Sequence, residues 1–82
     1  MQVIMLTKDG CGSCATFKPV AKEVAEEYGF EFKILANPKM DVPFFPYYYI
    51  MKDGNIIEHW GGVQERKYRS VLKRTAKKHS DS

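Results

Sequence analysis

No run in this sequence is apolar for long enough to cross a bilayer as a helix, and no charged leader with an apolar stretch and cleavage site stands ahead of the first ordered segment. The expectation is a cytoplasmic protein with no membrane partner. Internal repeats and low-complexity tracts are absent as well, which leaves a folded globular chain. Cysteine is scarce: Cys11 and Cys14 are the only two, too few for the disulfide scaffold of a small secreted domain. At 82 residues the chain makes one domain, and a domain of this size buries only about 60% of its unfolded surface.

Charge carries no strong bias either, at a net +3. Much of the positive charge falls late, on Arg66, Lys67, Arg69, Lys73, Arg74, Lys77 and Lys78. A nucleic-acid surface would need aromatic or groove-reading residues on that basic face. The stretch reads instead as the solvated side of a closing helix, so no nucleic-acid partner is expected. Lysine and arginine near a helix C-terminus also suit its macrodipole.

What is present organises itself around Cys11-Gly12-Ser13-Cys14. Residues 1–6 are apolar on both faces, as in a central strand. Residues 15–28 repeat apolar positions at helical spacing (Phe17, Val20, Ala21, Val24, Ala25, Tyr28), with Gly29 placed to cap the end. Pro19 falls inside that helix, where it removes a hydrogen bond and is expected to kink it. Residues 30–35 alternate and predict a second strand, parallel to the first by a right-handed crossover. Residues 36–45, with Pro38 and Pro43, read as a loop. Residues 47–52 and 56–60 flank an Asp53-Gly54 turn, a hairpin signal. Residues 63–79 predict a closing helix with Tyr68, Val71, Leu72, Thr75 and Ala76 inward, and 80–82 a frayed tail. The predicted fold is a single α/β domain over residues 1–79: β-α-β, then a β-hairpin, then α, with a four-stranded mixed sheet flanked by helices.

Strand, Cys-x-x-Cys and helix in this order point to a dithiol redox site rather than a staple. Cys11, at the helix N-terminus, is the expected nucleophile, since unpaired N–H groups and the dipole there favour a thiolate. Such positions lower a cysteine pKa to roughly 3.5–7.5. Cys14, one turn inward, is the expected resolving thiol. Two other readings compete: a permanent short-loop disulfide, and a zinc site built from the two sulfurs with His59 and His79. The histidine spacing matches no standard finger, and no metal is expected. Lys8 and Asp9 lie beside Cys11, where Lys8 would favour a thiolate and Asp9 oppose it.

The active-site helix through Pro19, the segment Pro46-Tyr47-Tyr48-Tyr49-Ile50-Met51-Lys52-Asp53-Gly54, and Gly61-Gly62 together resemble the thioredoxin superfamily over essentially the whole chain. The resemblance implies a thioredoxin-like fold and reduction of protein disulfides through Cys11 and Cys14, with no bound cofactor beyond the redox-active disulfide. It also implies a monomer, regeneration by thioredoxin reductase, and ribonucleotide reductase as one client. It assigns a cis peptide to Pro46, with Pro43 as competitor, and substrate contacts to Gly12, Ser13, Phe45, Pro46, Tyr47, Gly61 and Gly62. Phe44, Phe45 and Tyr47 would form an apolar lip around the dithiol. The chain departs from the family at Gly10, where a tryptophan is usual, at Ser13, where proline is usual, and at Met5, where a buried acid is usual. The N-terminal strand and helix of full-length thioredoxins are missing, as is most of the helix after the second parallel strand. Glutaredoxin-like reduction served by glutathione, and a non-catalytic interaction module on the same fold, are the alternatives. Without the acid, proton transfer would fall to water or to the hydroxyls of Ser13 and Thr16.

Overall fold

A first segment apolar on both faces belongs inside a sheet, and the computed structural model, which describes residues 1–39 and 42–79, places it there. The order is β1 (Gln2–Thr7), α1 (Gly12–Glu27), β2 (Glu31–Ala36), β3 (Tyr47–Lys52), β4 (Asn55–Gly61) and α2 (Glu65–Lys78). The strands lie in the order β2-β1-β3-β4, with β1 parallel to β2 and antiparallel to β3, and β3 antiparallel to β4. This is the predicted α/β domain. Residues 80–82, expected to fray, lie outside the described residues, as do Met40 and Asp41 of the predicted loop.

Local chemistry accounts for the element ends. At the end of α1, Gly29 adopts φ +79°, the Phe30 N–H donates to the Ala25 carbonyl at 2.8 Å and the Gly29 N–H to Glu26 at 3.1 Å. These two bonds form a Schellman cap. The hairpin turn has Asp53 and Gly54 both at positive φ, the backbone that matches the twist of the flanking strands. Pro19 sits exposed inside α1, which runs through it from Gly12 to Glu27.

Both helices pack on one face of the sheet. Val3 and Met5 of β1, Tyr48 and Ile50 of β3 and Trp60 of β4 point toward them and join Phe17, Ala21, Val24, Tyr68, Val71 and Leu72 in the core. Phe17, Tyr48, Trp60 and Tyr68 form its centre, with ring centroids 5.1–6.2 Å apart. The Tyr68 hydroxyl donates to the Ala21 carbonyl at 2.8 Å, fastening α2 to α1. The Tyr48 hydroxyl donates to the Gly62 carbonyl at 2.7 Å. Ile4, Tyr47, Tyr49 and Met51 face the other way, where no helix among the described residues covers them. The expectation of a sheet flanked by helices thus resolves into helices on a single side.

The late basic residues lie on the outer face of α2, as predicted. Arg69 pairs with Glu27 of α1 at 2.7 Å and with Glu65 at 3.0 Å, and Arg74 reaches Glu58 at 3.7 Å. Exposed pairs of this kind contribute little individually.

Burial pushes the Tyr48 and Tyr68 phenols well above their ordinary value of 10.0, and for Tyr68 the neighbouring Tyr48 adds to the shift. Above that value the unfolded chain loses protons that the native state keeps, so stability falls as pH rises. The slope approaches about 2.7 kcal/mol per pH unit for the two groups together. In alkaline titration, ionisation of these two tyrosines should coincide with loss of the far-UV circular dichroism signal.

Candidate functional site

The site begins where β1 ends. After Thr7 the chain turns through Lys8, Asp9 and Gly10 (φ +78°), and the Cys11 N–H donates to the Lys8 carbonyl at 3.3 Å. Across from this turn, Asn37 follows β2 at φ 51°. Its N–H donates to the Thr7 carbonyl at 2.7 Å, and its side-chain oxygen accepts the Asp9 N–H at 3.0 Å. One asparagine therefore joins the ends of the two parallel strands and holds the turn that presents Cys11.

Cys11 is the N-cap of α1. Its Sγ accepts the Cys14 N–H at 3.1 Å, a donor that the helix geometry leaves without a backbone partner. Cys11 and Cys14 are joined in a disulfide, with Cα atoms 5.3 Å apart. Cys14 is 4% exposed and part of the core, whereas Cys11 is half-buried at its edge. One cysteine thus sits at the rim and the other inside the core, one helical turn apart.

Two shallow depressions flank the cysteines. One, of about 530 Å³, contains Cys11 and Cys14 with Lys8, Asp9, Lys18 and Ile34 among its lining. The other, of about 460 Å³, is formed by Gly12, Ser13, Thr16, Phe17 and Val63. Gly12 and Ser13 are exposed in the first turn of α1, within this second depression. The Thr16 hydroxyl donates to the Gly12 carbonyl at 3.0 Å. Met5, at the family's acid position, is fully buried in the core.

The Phe45–Pro46 peptide bond is cis; of the two candidate prolines it is Pro46 that carries it. Pro46 lies at the end of β3 that pairs with Leu6 through Tyr47, the end from which β1 turns toward Cys11. Its carbonyl accepts the Gly62 N–H at 3.0 Å and its ring is buried. Phe45 packs at the core edge, under the Lys8 ammonium, which sits 5.3 Å from the ring centroid.

Tyr47, Gly61 and Gly62 lie at the strand ends next to Pro46. Tyr47 lies on the sheet face away from the helices, hydrogen-bonded to His59 Nδ1 at 2.8 Å and edge-on to Phe44 and Tyr49. Gly61 is opposite Tyr47 on the same face, and a Cβ there would come within 2.6 Å of both the Phe44 and Tyr47 rings. Its missing side chain makes room for aromatic packing. Gly62, at φ +111°, links Pro46 to the Tyr48 hydroxyl. Of Phe44, Phe45 and Tyr47, Phe45 packs against the core. His59 is held by Tyr47 and His79 by Lys52 at 3.3 Å. Among the described residues no group of three or more His, Cys, Asp or Glu side chains converges as a metal site.

Sequence reasoning passed over Asn37, Lys18, Ile34 and Val63. Asn37 stood out only as half of an Asn-Pro loop signal. Val63, 47% exposed, had a visible mark: an apolar β-branched residue directly after two glycines.

Asn37→Ala should cost about 1–2 kcal/mol, from the lost hydrogen bond and from alanine's aversion to positive φ. Asn37→Gly, which keeps that φ freely, should lose less; urea unfolding measures both. Gly61→Val should destabilise by about 1–3 kcal/mol through overpacking, and Phe44→Ala in the same chain should recover part of it.

No protein-family model and no curated protein sequence matches this chain. Solved structures do. Thioredoxin 1 from Thermosipho africanus TCF52B superposes with a TM-score of 0.83 at 15% identity, over 99% of this chain and 100% of that one. Fasciola hepatica thioredoxin gives 0.73 at 23% identity, over 88% and 77%. A chain from a complex of ferredoxin:thioredoxin reductase with thioredoxin f2 gives 0.78 at 18%, over 89% and 74%. The chain therefore has a thioredoxin-like fold, in which Cys11-Gly12-Ser13-Cys14 supplies a Cys-x-x-Cys pair.

Proposed function

We propose that this protein is a thiol–disulfide oxidoreductase that reduces disulfides in other proteins. The observation that carries this reading is the pair itself: a half-buried Cys11 capping α1, bonded to a buried Cys14 one turn inward. In the reduced protein the Cys11 thiolate is favoured by the Cys14 N–H and the helix dipole. It attacks one sulfur of the client disulfide, forms a mixed disulfide and releases the first client thiol. Cys14 then loses its proton, attacks Cys11 Sγ, releases the second client thiol and leaves the Cys11–Cys14 disulfide. With Met5 where an acid is usual, that proton passes to water.

Two electrons must return for another cycle. The fold is shared with a chain from a complex of ferredoxin:thioredoxin reductase with thioredoxin f2, which supports a dedicated reductase as the donor; thioredoxin reductase is the one we assign. The protein works as a cytoplasmic monomer without a bound cofactor, and ribonucleotide reductase is one client class in this reading.

Cys11→Ser should abolish reduction of a disulfide substrate such as insulin. Cys14→Ser should still attack and accumulate a mixed disulfide on Cys11, visible by mass. In graded glutathione buffers the pair should titrate between about −200 and −270 mV. A stable glutathione adduct on Cys11 would shift the electron donor to glutathione. A pair still oxidised below about −300 mV would make it structural, and full biological activity in Cys11→Ser would make the fold a non-catalytic module.

A further inference from the structure

The two depressions beside the dithiol differ in charge. The one toward Val63 is lined by glycine, two hydroxyls, an aromatic ring and valine, with no ionisable group. The one toward β2 holds Lys8 and Lys18 against a single acid, Asp9, with Ile34 also in its lining. Lys18 follows Cys14 by four residues, so it projects from the same side of α1 one turn on. Lys8 is positioned by its contact with the Phe45 ring and by the turn that Asn37 holds. Both lysines are exposed, and among the described residues neither has a carboxylate partner. Two lysines without a carboxylate partner thus line the same depression as Cys11 and Cys14, and the depression toward Val63 has no cationic residue.

We propose that Lys8 and Lys18 are specificity-determining residues that select client disulfides carrying a carboxylate side chain beside the reacting cysteine. The inference rests on the reductase reading above and adds a substrate class to it. The carboxylate lies in the cationic groove during attack by Cys11, while apolar neighbours of the client cysteine face Val63 and Phe17. A charge pair at about 4 Å in water changes an association constant by about fivefold, and salt of about 1 M screens it within about 3 Å. With Asp9 offsetting one of the two lysines, the preference is that of about one net charge, modest and sensitive to ionic strength.

A lysine that altered the Cys11 thiolate would change the rate with every substrate alike. A ratio between substrates separates recognition from reactivity. The experiment reacts pre-reduced full-length protein in single turnover with three symmetric peptide disulfides of one scaffold, flanked by aspartate, asparagine or lysine. Each rate is divided by the rate of the same peptide with dithiothreitol, whose attacking thiolate carries the same single negative charge as that of Cys11, to remove intrinsic disulfide reactivity. The aspartate peptide should exceed the lysine peptide by about twentyfold at low salt, and the ratio should collapse toward one in about 1 M salt. Lys18→Glu should bring the ratio below one, and Lys8→Glu with Lys18→Glu should lower it further, with far-UV circular dichroism unchanged. Equal normalised rates in the unaltered protein, or a ratio that the exposed Lys18→Glu change leaves intact, would overturn the selectivity while the reductase reading stands. Failure to reduce any of the three peptides would remove the reductase reading and the selectivity with it.

Discussion

Everything in this fold hangs on one aromatic contact, the nest of Phe17, Tyr48, Trp60 and Tyr68 between the sheet and its two helices. Aromatic rings bury a large area each and gain further from tilted or offset packing, which a chain of this size needs. Two of them are tyrosines, whose hydroxyls would be costly to bury unpaired. Each finds a backbone carbonyl, Ala21 for Tyr68 and Gly62 for Tyr48. Those two bonds do more than satisfy polar atoms. The first sets α2 against α1, and the second ties the end of the hairpin to the central strand.

Docking both helices on one side has consequences for the site. α1 lies against the core face, so its first turn comes to the C-terminal end of β1 with Cys14 directed inward and Cys11 at the rim. The same packing that buries Cys14 leaves Cys11 half-buried at the rim. On the reverse side of the sheet the chain makes do with packing of its own. Phe44 lies over Gly61 and against Tyr47, and Tyr47 is braced by His59 and Tyr49. Tyr47 and Gly61, to which the family resemblance assigns substrate contacts, also pack with Phe44 on the sheet face that carries no helix among the described residues.

The electrostatics at the rim come from elements that the chain brings together late. Lys8 belongs to the β1 turn, Lys18 to the second turn of α1, and Ile34 to β2. Asn37 joins the turn to β2 with two hydrogen bonds. Because the parallel pairing of β1 with β2 sets where Asn37 arrives, the groove is a product of sheet register rather than of the Cys-x-x-Cys segment alone.

Several features were legible in the sequence because they rest on local chemistry. Periodicity marked every strand and helix to within a few residues, Gly29 and Asp53-Gly54 marked their cap and turn by the backbone they require, and two cysteines one turn apart at a helix start marked the dithiol. The segment from Pro46 to Gly54 marked Pro46, rather than Pro43, for the cis peptide by its resemblance alone. What the sequence could not decide depends on which residues meet across the fold. Alternation told that Tyr47 and Tyr49 share a face and Tyr48 takes the other, but which face receives the helices is a matter of packing. The same holds for the ring over Gly61, for Asn37 reaching back to Asp9, and for the two lysines beside the sulfurs. These contacts join residues distant in sequence, and only sheet pairing and helix docking bring them within range.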